Sequence, residues 1–311
     1  MSLKQRIAEE LELNSLWIDR IIARAPHAYK TYSVKKKRGG YRTIAQPARE
    51  TKAVQYWLIS NLFNTLPVHE AATAYKQGAS IVDNADRHKD NSYLAKFDFL
   101  GFFTSIKGEM LASFLKAQFP DFDEDDLNLI VRVCCIRNRQ TKSLHLSIGA
   151  PTSPILSNVM LYRFDSILGE VCRHLGVTYT RYADDITFSS NNKDQIRGIE
   201  TILRDVIRQT PDLNLRINNQ KTIFLSKKHS RRITGVVISN DGRLSLGREK
   251  KRLIRSMVDH YIKGKLSEEQ KGQLQGQLGH AKNVDPLFVS RLRGKYGSKV
   301  IDGIIRQRAG K

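Results

Sequence analysis

Two adjacent acids, Asp184 and Asp185, stand inside a run that otherwise favours β-structure, Thr178 to Ser190, and no other feature of the chain restricts its fold as much. The β-branched and aromatic residues on either side read as two short strands joined through Ala183, Asp184 and Asp185. An Asp pair by itself is most often a solvated turn. Here the flanking residues push the hairpin tip to the rim of a buried sheet, where two carboxylates repel each other unless a cation joins them. A further strand, Tyr93 to Phe99, runs into a third acid, Asp98. Carboxylates at the ends of strands that can be neighbours suit one chemistry well. Two divalent ions about 3.5–4 Å apart stabilise the attacking and leaving oxygens of an in-line displacement at phosphorus, and magnesium prefers hard oxygen ligands. Asp98, Asp184 and Asp185 are therefore the candidate catalytic and metal-holding residues.

A nucleotidyl-transfer reading requires a polyanionic partner, and the charge balance provides for one. The 311 residues carry 52 Lys and Arg against 31 Asp and Glu, a formal +21. Residues 227–311 hold 21 basic and 7 acidic side chains, a net +14, so the C-terminal part is expected to grip phosphates. A rival acidic run, Asp121 to Asp126, lacks the glycine and the distal Glu of a calcium loop and reads as the start of a helix. Three cysteines, two of them in the apolar run Leu129 to Ile136, make neither a disulfide framework nor a zinc site. No apolar stretch approaches the roughly 20 residues that span a bilayer, and no signal-peptide core opens the chain. A cytoplasmic protein without a membrane partner is expected.

Along the chain, Leu3, Ile7, Leu11, Ile18, Ile21 and Ile22 recur at helical spacing before Pro26. Tyr29 to Val34 and Tyr41 to Gln46 form a hairpin around a basic, glycine-bearing turn that can close over a phosphate. A helix is expected over 49–66, a short one from Ser80, and a long one over 155–175 opened by the turn-rich Gly149 to Pro154. Beyond the acidic pair the pattern predicts a helix over 193–209 and strands over 213–217, 222–225 and 233–238. From Gly247 it is helical and basic. This is an α+β chain with mostly antiparallel pairing.

These motifs resemble those of the reverse transcriptases, and among them the retron reverse transcriptases of bacteria. Tyr182 to Asp185 match the polymerase tetrad, Phe97 to Phe103 the segment with the first catalytic Asp, and Gly149 to Pro154 the template-side loop, in the family's order. The likeness runs from about Tyr29 to Leu246. Two short segments resemble retron marks: Asn84 to His88, and the triplet Ile233, Thr234, Gly235, with Ile where the family has Val. One departure is Ile148, where many reverse transcriptases have Gln; the backbone of Gly149 can still approach the sugar.

The resemblance implies a right-hand polymerase fold: an N-terminal helical cap (1–28), fingers (29–92, joined by helical parts of 107–150), an antiparallel-sheet palm (93–246) and a basic helical thumb (247–311). It implies two Mg2+ ions, replaceable by Mn2+, held by Asp98 and Asp184 with Asp185 beside them and the Phe99 carbonyl as a further ligand. Arg42 and Lys35, Lys36 and Lys37 would clasp the triphosphate of a dNTP. Phe103 would lie under the sugar and reject a ribose 2′-OH, unless it is a core aromatic. Ala150 and Pro151 would shape the pocket floor, Ser153 and Asn158 order the loop and its helix, and Lys221 stand near the leaving pyrophosphate or simply be solvated. Asn84, His88, Ile233, Thr234 and Gly235 would bind RNA, although His88 could instead end a helix and Thr234 and Gly235 form a bulge.

Retron membership further implies a structured non-coding RNA as template and primer, priming from a guanosine 2′-OH, a single-stranded DNA product branched from RNA with an RNA–DNA hybrid on the way, and antiphage defence with an effector protein encoded nearby. The length leaves no room for an appended ribonuclease H or integrase. The rival readings are a group II intron or diversity-generating reverse transcriptase and a non-catalytic RNA-binding protein on a polymerase scaffold.

Overall fold

Side-chain alternation along Tyr93–Asp98 sorts the central sheet into two faces. Phe97 turns to one side with Ile186 and Phe188 of the paired strand, and Asp98 turns to the other with its partner Asp185. The computed structural model describes residues 2–36, 39–76 and 78–306. In chain order its elements are α1 (Leu3–Glu10), α2 (Ser15–Arg24), β1 (Tyr29–Lys35), β2 (Tyr41–Pro47), α3 (Arg49–Asn61), α4 (Ile81–Asp86), β3 (Tyr93–Asp98), α5 (Phe102–Ser105), α6 (Gly108–Gln118), α7 (Glu124–Cys134), β4 (Ile136–Arg137) and β5 (Leu144–His145). There follow α8 (Thr152–Met160), α9 (Tyr162–His174), β6 (Thr178–Tyr182), β7 (Asp185–Ser190), α10 (Lys193–Gln209), β8 (Ile223–Ser226), β9 (Arg231–Ile233), β10 (Val236–Ile238), β11 (Leu244–Ser245), α11 (Arg248–Ile262), α12 (Glu268–Val284), α13 (Pro286–Tyr296) and α14 (Ser298–Arg306).

The central sheet has the order β6-β7-β3-β8 and is antiparallel throughout. Its apolar face is covered by α9 and α10: Ile196, Ile199 and Leu203 of α10 and Phe164 and Leu168 of α9 are buried in a core shared with Phe97, Ile186 and Phe188. That core also takes in α1 to α3, α6 and α7. A smaller core joins Ala85 of α4 and Leu94 of β3 to the sheet β11-β10-β9 and the four C-terminal helices. Mixed helix and antiparallel sheet is the architecture expected of a right-hand polymerase. Among the described residues no helix is long and apolar enough to cross a membrane.

Several local expectations change on folding. The helix predicted over 155–175 starts earlier, at Thr152, and breaks at Leu161 into α8 and α9. The helix over 49–66 ends at Asn61, with a 3-10 turn over Phe63–Thr65. Residues 213–217 make a single bridge, Ile217 to Phe99, in place of a strand. The 233–238 strand is split into β9 and β10, because Thr234 (φ 46°) and Gly235 (φ 89°) take left-handed backbone in a two-residue turn. The acidic run does begin a helix, with Asp123 accepting from the Asp126 N–H as N-cap of α7.

One buried ion pair ties the sheet to its helices. Arg181 on β6 and Asp165 on α9 are both fully buried, and Arg181 Nη2 lies 2.5 Å from Asp165 Oδ2. Tyr179 Oη donates to Asp165 at 2.6 Å. Removing one member strands the other charge in the core, which costs about 3–5 kcal/mol. Urea unfolding of Asp165→Ala is expected to show a loss of that size, and the double replacement Asp165→Leu/Arg181→Met a smaller one.

Candidate active site

The acids meet because of sheet register. Asp98, the last residue of β3, is opposite Asp185, the first of β7, and the turn before Asp185 carries Asp184. That turn is two residues long, with Ala183 in left-handed backbone (φ 57°). Its geometry is held from both sides: Arg181 Nη1 donates to the Ala183 carbonyl at 3.3 Å, and the Phe99 N–H donates to the Asp184 carbonyl at 3.1 Å. The Asp98 carbonyl accepts from the Asn218 N–H at 2.8 Å, fixing the strand end to the segment that leads to Lys221.

Burial and mutual repulsion show in the titration of Asp184. Burial first, then the charges of Asp98 and Asp185, raise its carboxyl to about 6. Lys221 offsets this in part, its ammonium donating to both oxygens of Asp98 at 2.7 Å. Lys221 is half exposed, so it is neither a freely solvated lysine nor a buried one. Among the described residues, no group of three or more His, Cys, Asp or Glu side chains is gathered to hold a metal ion. The donor chemistry nonetheless fits a divalent cation: the hard carboxylate oxygens of buried Asp98 and part-buried Asp184 and Asp185, brought together at one end of the sheet.

A cleft of about 330 Å3 is lined by Phe103, Ile148, Gly149, Ala150, Pro151 and Tyr75 among others. Of the two neighbouring aromatics, Phe102 is the one that enters the core, stacked on Phe99 at 5.9 Å, and Phe103 faces the cleft. Gly149 has φ 117°, and a Cβ there would stand 2.9 Å from the Ala45 carbonyl oxygen, so only glycine fits. The loop is docked on the hairpin: the Ala45 N–H donates to the Ile148 carbonyl at 2.7 Å. The main chain of Ile148 thus joins the loop to β2 of the hairpin. Ser153 Oγ accepts from the Ser147 N–H at 3.2 Å, and Asn158 accepts from Arg181 while donating to the Ala74 carbonyl at 2.8 Å.

On the hairpin, Lys35, Lys36 and Arg42 are exposed, with Arg42 opposite Val34 and Lys35 opposite Tyr41. Lys37 lies outside the described residues. The segments resembling retron marks are corrected in one respect. Asn84, His88 and Ile233 are buried, so their side chains are not available to touch RNA directly. His88 is held between two hydroxyls, Ser189 at Nδ1 and Thr180 at Nε2, each at 2.7 Å, and burial lowers its pKa to about 3, keeping it neutral. Ile233 packs in the same core as Ala85, and Thr234 Oγ1 donates to the Ile81 carbonyl at 3.3 Å. The two segments, far apart in sequence, form one joint, with Thr234 and Gly235 partly exposed. Sequence reasoning missed Asp165, Arg181 as its partner, and Tyr75. An unpaired charge in each of two apolar patterns was the only signal for the first two.

Because the carboxyl of Asp184 is raised in the folded chain, the fold binds more protons than the unfolded chain between about pH 4 and 6, and Asp184 destabilises it increasingly as pH rises through that window. Asp184→Asn is therefore expected to resist urea better than the unaltered chain at pH 8 without divalent ions, by about 2 kcal/mol. The advantage should vanish below pH 4.

A family model described as reverse transcriptase (RNA-dependent DNA polymerase) matches residues 34–238. The chain is 39% identical over 278 residues to the retron Ec83 reverse transcriptase of Escherichia coli, covering 89% of each chain. It is 34% identical to the retron Ec73 reverse transcriptase of the same organism, covering 90% of each. Among solved structures, a telomerase from Candida albicans in complex with a fragment of telomeric RNA superposes with a TM-score of 0.50 at 12% identity, over 84% of this chain and 56% of that one, a likeness of fold. The chain belongs to the reverse transcriptases, the RNA-directed DNA polymerases, and within them to the retron group.

Proposed function

We propose that this polymerase copies a structured non-coding RNA into single-stranded DNA that stays branched from the RNA, starting at a guanosine 2′-OH, and that Asp98, Asp184 and Asp185 are its catalytic carboxylates. The observation that carries the site assignment is the register that sets Asp98 against Asp185 with the Asp184 carboxyl raised beside them. The priming and the RNA partner rest on the likeness to retron relatives and on the basic C-terminal segment over 227–311. A role in antiphage defence with an effector encoded nearby rests on the same kinship.

Asp98, Asp184 and Asp185, with the Phe99 carbonyl, would hold two Mg2+ ions, or Mn2+ in their place. Those ions supply charge stabilisation at the attacking hydroxyl and at the departing pyrophosphate. The chain's own residues do the rest. Lys35, Lys36, Lys37 and Arg42 clasp the triphosphate from the fingers hairpin, where charge-assisted hydrogen bonds to phosphate are strong. Gly149, Ala150 and Pro151 form the floor, and Phe103 occupies the space a ribose 2′-OH would need. Lys221 sits on Asp98 until substrate arrives and then stands near the leaving pyrophosphate. The partition is an N-terminal cap over 1–28, fingers over 29–92, palm over 93–246 and thumb over 247–311. Thr234 and Gly235 remain the accessible part of the retron-like joint, and Asn84, His88 and Ile233 support it from beneath.

Two measurements test this. Expression together with the flanking non-coding DNA is expected to yield a small co-purifying DNA whose mobility shifts on debranching and which is absent with Asp184→Asn. RNA alone in both preparations would contradict the assignment. Replacing the exposed Arg252, Lys263 and Lys265 by Ala is expected to weaken RNA binding and to flatten the slope of log affinity against log salt by about 2–3, read by filter binding across a salt series.

A further inference from the structure

Tyr75 is the one large aromatic residue among the described residues with left-handed backbone, at φ 58°. Side chains rarely adopt that conformation, and such residues persist where their surroundings over-determine them, often at functional sites. The surroundings here do so. Ala72 bridges Arg181 in parallel, and the Thr73 N–H donates to the Arg181 carbonyl at 2.8 Å. The Arg181 N–H donates to the Ala71 carbonyl at 2.7 Å. Asn158 then fixes the Ala74 carbonyl at 2.8 Å. Ala71 to Thr73 thus lie alongside β6 through a single bridge, Ala74 is held by Asn158, and the next residue, Tyr75, lines the cleft.

Burying an aromatic ring is the usual reason to place one, yet Tyr75 remains 47% exposed. Its ring faces that of Phe103, with centroids 6.4 Å apart and planes tilted by 49°. The same cleft is lined by Gly149, Ala150 and Pro151. Burial first, then the charge of Asp184, raises its hydroxyl, and Arg42 acts in the opposite sense, so both charged groups are near enough to be felt there.

We propose that Tyr75 is a positioning residue for Phe103: its ring props that of Phe103, so that the barrier to a ribose 2′-OH is rigid. This rests on the assignment of Phe103 to the sugar made above. A barrier with no support behind it swings aside at small energetic cost, so removing the prop relaxes selection while leaving the acids in place.

Single-nucleotide extension of a DNA primer annealed to an RNA template, by the full chain in Mg2+ buffer, reads kcat and KM for a dNTP and for the matching rNTP. Tyr75→Ala is expected to raise the dNTP KM and to lower the dNTP-over-rNTP preference about tenfold, with kcat for the dNTP changed less than threefold. Tyr75→Phe, which keeps the ring, should retain the preference. Tyr75→Gly accepts φ 58° without strain, so a similar loss there assigns the effect to the ring and not to the backbone. Combined with Phe103→Ala, the Tyr75 change should lower the preference no further. Unchanged preference in both Tyr75→Ala and Tyr75→Gly would overturn the inference alone. Unchanged preference in Phe103→Ala would overturn the assignment of Phe103 and this inference with it.

Discussion

The buried ion pair of Arg181 and Asp165 is the constraint on which the site depends. A guanidinium and a carboxylate taken out of water must satisfy each other and find partners for the remaining donors, and the Arg181 side chain reaches three such partners. It pairs with α9 through Asp165, holds Asn158 on α8, and donates to the carbonyl of Ala183, the left-handed residue that turns the acid-bearing hairpin. Its main chain carries residues 71–73 alongside β6. The turn, the helix behind the template-side loop and the segment leading to Tyr75 are thus located relative to a single buried charge.

Against that rigid support, the acids themselves are left electrostatically unfinished. Lys221 pairs with Asp98, and the half-buried Asp184, beside the charges of Asp98 and Asp185, is forced toward its neutral form. A site completed by its own side chains would have little reason to take up a cation that arrives with a triphosphate. Crowding carboxylates in this way costs the free chain some stability at neutral pH, the usual cost of a site built for chemistry and not for the fold.

The joint between α4 and the β9–β10 turn serves a different purpose. Asn84, Ala85 and Ile233 are buried between the central sheet and the C-terminal helices, and His88 is locked as a neutral bridge between two hydroxyls of β6 and β7. A neutral imidazole can donate from one nitrogen and accept at the other, which suits two hydroxyl partners and no charge. These residues set how the basic helices stand relative to the acids, and the left-handed turn at Thr234 and Gly235 brings the same joint to the surface.

Much of this was legible in the residues alone. The hairpin carrying Asp184 and Asp185, the strand ending at Asp98, the helix over Lys193–Gln209 and the capped helix after Ser80 follow from local preferences and alternation, because each is dictated by neighbours within a few positions. Glycine at 149 was readable as a close approach, though not what approached. Tertiary structure alone decided that Asp98 faces Asp185, that Arg181 meets Asp165, that His88 and Ile233 turn inward, and that Tyr75 stands against Phe103. Register, burial and the pairing of distant charges are settled by which surfaces pack together, and a sequence states which residues are apolar or charged without stating against what they will lie.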